Sequence, residues 1–109
     1  MEGFQEIDAQ QAKALIDQGN IAIVDIRDPD SFEQGHIAHA LSVNDHNIEE
    51  FINNTDKRKP ILCYCYMGFS SQGACQYFKG QGFETVYSMK GGFTAWEKVY
   101  NIQESSTDD

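Results

Sequence analysis

A chain of 109 residues is long enough for one domain with its own core and too short for two. With 40% hydrophobic and 12% aromatic residues it can fill that core, which excludes disorder over most of its length. A formal charge of -9, from 17 acidic against 8 basic side chains, excludes nucleic acid and anionic membrane surfaces as partners, because both require concentrated Lys and Arg.

In chain order, Phe4 to Ile7 reads as a short first strand. Asp8 then caps a helix reaching Gln18, with Gln11 placed to complete a capping box and Gly19 just past the end. Ile21 to Ile26 is a continuous β-branched run of the kind buried on both faces of a parallel sheet, so it is expected as a central strand. Asp28-Pro29 starts a short helix that Gly35 ends, Ala40 to Val43 is a brief strand, and Asn47 to Asn54 is another helix. Pro60 to Cys65 is the next buried strand, Ser70 to Lys79 a helix, and Glu84 to Met89 a fifth strand. Gly91-Gly92, read as a flexible pair, leads into a last helix through Trp96. Strands alternating with helices predict an α/β domain over residues 1–100 with a parallel sheet. The polar tail 101–109 is expected to fray and to stand outside the site.

No run approaches the roughly 18 apolar residues of a membrane span. The start, Met1-Glu-Gly-Phe-Gln-Glu, has neither the basic flank nor the apolar run of an export signal, so a cytoplasmic location is expected. Three cysteines without such a signal point to reduced thiols rather than a disulfide framework. Lys57-Arg58-Lys59 reads as a solvated turn before the fourth strand.

The chemistry concentrates at Cys65-Tyr-Met-Gly-Phe-Ser-Ser71. Ligands of an open parallel sheet bind beyond the carboxyl ends of its strands, and Cys65 closes such a strand. The short span from Tyr66 to Ser70 forces the backbone to curl, with Gly68 supplying permissive dihedrals. Inward-pointing amides of Tyr66, Met67, Gly68, Phe69, Ser70 and Ser71, with the positive end of the following helix, are expected to hold an anion on the sulfur and a bound oxyanion beside it. A free cysteine titrates near about 8.5, and a helix N-terminus lowers that value without a histidine base. Cys65 is therefore the expected nucleophile. Cys63, inside the strand, and Cys75, beside Ala74 and Phe78, are expected in the core, with a resolving-thiol role as the alternative for Cys75. C-x-C without a second pair or a nearby histidine is poor zinc spacing, so no metal and no cofactor is expected.

Asp25 and Arg27, two residues apart at the end of a central strand, are expected to form an ion pair bracing the strand-loop junction. His36, His39 and His46 are read as surface or capping residues.

Three ordered motifs resemble the rhodanese-like domains, and most closely their single-domain thiosulfate sulfurtransferases of the GlpE type, over nearly the whole chain. They are Val24 to Phe32 with Gly35-His-Ile37 and Ala40, the loop Cys65 to Ser71, and Gly91-Gly-Phe-Thr-Ala-Trp96. The resemblance implies a five-stranded parallel sheet flanked by helices on both faces and a persulfide on Cys65. It also implies double displacement from thiosulfate or a similar small donor to cyanide or a thiol acceptor, such as a thioredoxin-like protein. His39 stands where the family usually has glycine, and Met67, Phe69 and Gln72 stand where polar or basic residues are common.

Two other readings share this architecture. Cysteine phosphatases and arsenate reductases of related fold need an arginine six residues after the cysteine to fork onto the oxyanion, and here that residue is Ser71. Non-catalytic rhodanese-like binding modules typically lose the cysteine, which is present. Of the basic residues that follow strand ends, Arg27 is assigned to bracing. Lys90 is then read as a mobile charge that draws in an anionic donor, with a plain solvated lysine as the alternative.

Overall fold

The computed structural model describes residues 3–100. Its elements in order are β1 (Gln5–Ile7), α1 (Ala9–Gln18), β2 (Ala22–Asp25), α2 (Pro29–Gln34), β3 (Leu41–Ser42), α3 (Ile48–Asn54), β4 (Ile61–Tyr64), α4 (Ser70–Gly80), β5 (Val86–Met89) and α5 (Gly92–Glu97). The strands form one sheet in the order β1-β5-β4-β2-β3, and every pairing is parallel. Parallel neighbours require a crossover between strands, so all five carboxyl ends meet on one rim. β4 occupies the middle, and the residue that leaves it onto that rim is Cys65.

Alternation along the strands divides the core in two. Ile23, Leu62, Tyr64 and Met89 pack with Ala9 and Ala12 of α1 and with Phe93 and Trp96 of α5. Val24, Ile61, Cys63 and Val86 pack with Ile52 of α3 and with Cys75 and Phe78 of α4. Apolar side chains on both faces of β2 and β4 explain their uninterrupted apolar runs and place helices on both sides of the sheet. Cys63 and Cys75 are fully buried where the sequence reading puts them. A hydrogen bond with Cys75, then burial, pushes the Cys63 thiol well above its ordinary value, so it stays neutral.

α1 shows the expected capping box. The Asp8 carboxylate accepts from the Gln11 amide at 2.8 Å, and the Gln11 side chain accepts from the Asp8 amide at 2.9 Å. Asp28 caps α2 with Pro29 in the first turn, as the sequence indicates.

Two expectations are refined. Of the surface or capping roles expected for His36, it takes the capping one: its ring is buried, stacked on Phe32 at 3.7 Å, with Nδ1 2.8 Å from the Phe32 carbonyl in the last turn of α2. Spacing of four residues across the end of α2 brings the two rings together, a pairing that a reading for chemistry alone passes over. Lys57 is not simply solvated. It donates to the Ile52 carbonyl at 3.1 Å and lies 4.9 Å over the Phe83 ring, while Arg58 remains exposed beside Asp56. His39 and His46 are exposed, and His39 takes a left-handed φ of 71°, which accounts for the glycine usual at that position.

No helix among the described residues is long and apolar enough to cross a membrane. The tail at 101–109 lies outside the described residues. Because the Asp8 carboxylate bonds to the Gln11 amide of its own helix and not to the turn after β4, Asp8→Ala is expected to lower unfolding free energy by about 1 kcal/mol. In denaturant titration this appears as an earlier midpoint with an unchanged slope, and Cys65 should react at its normal rate.

Candidate active site

Cys65 leaves β4 directly into the turn Tyr66 to Phe69, and α4 begins at Ser70. α4 has no side-chain cap from Phe69, the residue in the N-cap position. The Cys65 sulfur takes that place, accepting from the Gly68 and Ser71 amides, each at 3.2 Å. An N-terminal helix amide and a turn amide therefore converge on one sulfur, which is 4% exposed at the residue level. Burial alone raises the thiol pKa. Hydrogen bonds from the Ser71 hydroxyl, the Ser71 and Gly68 amides and the Met67 amide outweigh it, and the net shift is downward.

The turn is held in place from behind. Phe93 and Thr94, in the first turn of α5, donate their amides to the Cys65 carbonyl at 2.8 Å and the Tyr66 carbonyl at 3.0 Å. This docking needs a bare backbone at residue 92, because a Cβ there would lie 2.5 Å from both carbonyl oxygens, and φ is +57°. Gly68 has φ +97°, and its Cβ would lie 2.9 Å from the Gly91 nitrogen. The Gly91-Gly92 pair is thus a close-packing contact rather than the flexible spacer expected from the sequence. Gln72 ties the far side of the turn, donating to the Gly68 carbonyl at 3.1 Å and to Glu6 at 2.8 Å.

Asp25 and Arg27 form a buried pair beside this turn, 0% and 5% exposed. The guanidinium donates to Asp25 Oδ2 at 2.7 Å and to the Gly35 carbonyl at 2.6 Å, and stands 4.0 Å over the Phe93 ring. Burial acts to lower the Arg27 pKa, but the Asp25 carboxylate outweighs it and holds the guanidinium charged. Its Nε and Nη2 donors thus face the scaffold. Tyr66 reaches from the turn to α2, where its hydroxyl donates to Asp28 and meets Ser31. That bond, and then Ser31, hold Asp28 below its usual carboxylate range.

The Met67 and Phe69 side chains are exposed, Phe69 by 75%, so these two residues present apolar surface beside the buried sulfur. Ser70 is exposed at the start of α4, while Ser71 is fully buried, with its hydroxyl 2.8 Å from that of Ser88 in β5. Lys90 leaves β5 on the same rim. Its amide donates to the Ile7 carbonyl, and its exposed ammonium has no ion-pair partner among the described residues. Sequence reasoning singled out neither Phe93 as the ring beneath Arg27 nor Asp28 as the anchor of Tyr66. Both lie within motifs it quoted, but their contacts span elements far apart in the chain. No cluster of potential metal ligands occurs among the described residues.

A sulfur held by amides should alkylate with iodoacetamide along a pH curve whose midpoint lies below that of an ordinary thiol, about 8.5. Gly92→Ala, which pushes α5 off the turn, is expected to move that midpoint back up and to cost more than about 1 kcal/mol of stability. The linkage sign follows from the depressed folded value. The thiolate adds stability above the unfolded thiol's pKa, and that part is lost as pH falls through the folded one.

A family model described as rhodanese-like domain matches residues 8–99. The thiosulfate sulfurtransferase GlpE of Pseudoalteromonas translucida (strain TAC 125) is 46% identical over 98 residues, 90% of this chain and 93% of that protein. The protein of the same name from Pseudomonas syringae pv. syringae (strain B728a) is 45% identical over 100 residues, 92% and 93% of the two. Among solved structures, a rhodanese-like domain from Anabaena sp. superposes with a TM-score of 0.81 at 22% identity, covering 100% of this chain and 85% of that one, a likeness of fold. With a model match across nearly the whole domain and relatives this similar over almost their full length, the chain belongs to the rhodanese-like domain family.

Proposed function

We propose that this protein is a thiosulfate sulfurtransferase that carries sulfur on Cys65. The observation that carries the reading is the Cys65 sulfur at the carboxyl end of the central strand, with two amides at 3.2 Å and a depressed pKa. The names of the relatives at 45% and 46% identity support it.

The Cys65 thiolate attacks the outer sulfur of thiosulfate. A new S–S bond forms, the S–S bond of thiosulfate breaks, and sulfite leaves with the bonding pair. No proton moves in this step. Negative charge builds on the incoming sulfur and on the departing sulfite, and the amides of the Tyr66 to Ser71 turn are aimed where it accumulates. An acceptor thiolate then attacks the outer sulfur of the Cys65 persulfide and restores the Cys65 thiolate, while cyanide in the same role yields thiocyanate. The exposed side chains of Tyr66, Met67 and Phe69 suit a protein acceptor, a thioredoxin-like dithiol, better than a small hydrophilic one. We place the reaction in the cytoplasm, where thiols stay reduced. Ser71, buried against Ser88, leaves no guanidinium in the turn to fork onto a phosphoryl group.

After incubation with thiosulfate, intact-mass spectrometry is expected to find one added sulfur atom on the wild type and none on Cys65→Ser. The variant should also lose thiocyanate formation by several orders of magnitude. Full turnover by Cys65→Ser sinks the reading.

The steering role belongs to Lys90, the rim cation whose ammonium has no ion-pair partner among the described residues. Since the net charge of -9 opposes a dianion, Lys90→Ala should lower kcat/KM for thiosulfate several-fold at low salt and hardly at all at high salt, where screening removes the long-range pull. Kinetics of Lys90→Ala that match the wild type at both ionic strengths assign anion capture to the turn amides.

A further inference from the structure

β5 runs Val86-Tyr-Ser-Met89 between β4 and β1, with Ser88 in register with Cys63 of β4 on one side and Glu6 of β1 on the other. By alternation Ser88 shares a face with Val86, which packs into the apolar layer beneath α4. A hydroxyl in that layer costs free energy unless it is hydrogen-bonded. Ser88 is fully buried, and its bonding partner is the Ser71 hydroxyl at 2.8 Å, itself fully buried in the first turn of α4. Ser71 in turn donates its amide to the Cys65 sulfur at 3.2 Å.

We propose that Ser88 is a positioning residue for the sulfur-transfer reaction, aiming the Ser71 hydroxyl at the Cys65 thiolate. The inference rests on the reading of Cys65 as nucleophile. Each hydroxyl has one proton to donate. A thiolate accepts hydrogen bonds and offers none, so the favourable arrangement has Ser71 donating to sulfur and Ser88 donating to Ser71. A neutral thiol permits the reverse order, with the S–H toward Ser71 and the Ser71 proton toward Ser88. Ionisation of Cys65 thus selects one direction of the chain, and the buried Ser88 oxygen keeps Ser71 from turning away. The Ser71 hydroxyl is among the groups that lower the Cys65 pKa, in agreement with this direction. Apart from the exposed Lys90 on the rim, the other charged groups near the turn are committed elsewhere. Asp25 and Arg27 neutralise each other from the β2 side, Glu6 on β1 is held by Gln72, and the Cys63 thiol stays neutral against Cys75.

The test follows iodoacetamide alkylation of Cys65 against pH, read at that residue by peptide mass spectrometry, in folded wild type, Ser88→Ala, Ser71→Ala, the double variant and Ser88→Thr. Ser88→Ala is expected to raise the midpoint by about half to one pH unit, the scale of weakening one hydrogen bond to a charged group. Ser71→Ala should raise it at least as much, and the double variant no further than Ser71→Ala alone, because the Ser88 effect passes through Ser71. Ser88→Thr, which keeps the hydroxyl, should restore the midpoint. An unchanged midpoint in Ser88→Ala overturns the proposal, as do shifts that add in the double variant. These outcomes concern the thiolate alone, whereas failure of the sulfurtransferase reading appears separately as sulfur transfer by Cys65→Ser.

Discussion

The backbone contact between the Cys65–Tyr66 carbonyls and the N-terminal turn of α5 is the constraint on which the rest of the site depends. A parallel sheet brings its strand ends to one rim but leaves the loops there free to take many shapes. Here the two carbonyls accept amides from Phe93 and Thr94, and that approach is close enough to exclude any side chain at residue 92. With its back fixed, the turn presents its remaining amides inward, and the sulfur of Cys65 becomes the cap that α4 otherwise lacks. Helix capping, turn geometry and thiol acidity are one arrangement seen from three directions.

Electrostatics around this turn are local by necessity. The chain carries -9 overall, and the nearest guanidinium, Arg27, is bound to Asp25, to the Gly35 carbonyl and over the ring of Phe93. Removing either partner of such a buried pair strands the other charge, which costs about 3–5 kcal/mol, so the pair belongs to the scaffold. Neutral amides and hydroxyls remain to hold negative charge at the sulfur. They need no counter-ion and, being fixed by the fold, no reorganisation to hold it there.

The same rim separates a buried sulfur from an apolar exterior. Cys65 is almost covered, while Met67 and Phe69 stand out from the turn on either side of Gly68, and Tyr66 is tied to Asp28 at the head of α2. A turn carrying exposed apolar side chains on a pinned backbone offers contact area at little conformational cost, which suits an acceptor that brings its own surface.

What the sequence determines by itself is local. A β-branched run at Ile21 to Ile26 and a run at Pro60 to Cys65 without charged residues declare buried parallel strands, Asp8 with Gln11 and Asp28 with Pro29 declare helix starts, and a cysteine at a strand end followed by a short glycine-containing turn declares the candidate site. Each rests on neighbours within a few residues, where propensity and periodicity act. Strand order, with β4 between β5 and β2, was decided only by tertiary structure, because pairing is set by packing between segments far apart in the chain. So were the docking that gives Gly91-Gly92 its purpose, the burial of His36, and the commitment of Lys57 to Phe83. The meeting of Ser71 with Ser88 is of the same kind. One serine lies in the first turn of a helix and the other interrupts an apolar strand 17 residues later, and only the crossover that lays α4 on β5 puts their hydroxyls 2.8 Å apart near Cys65.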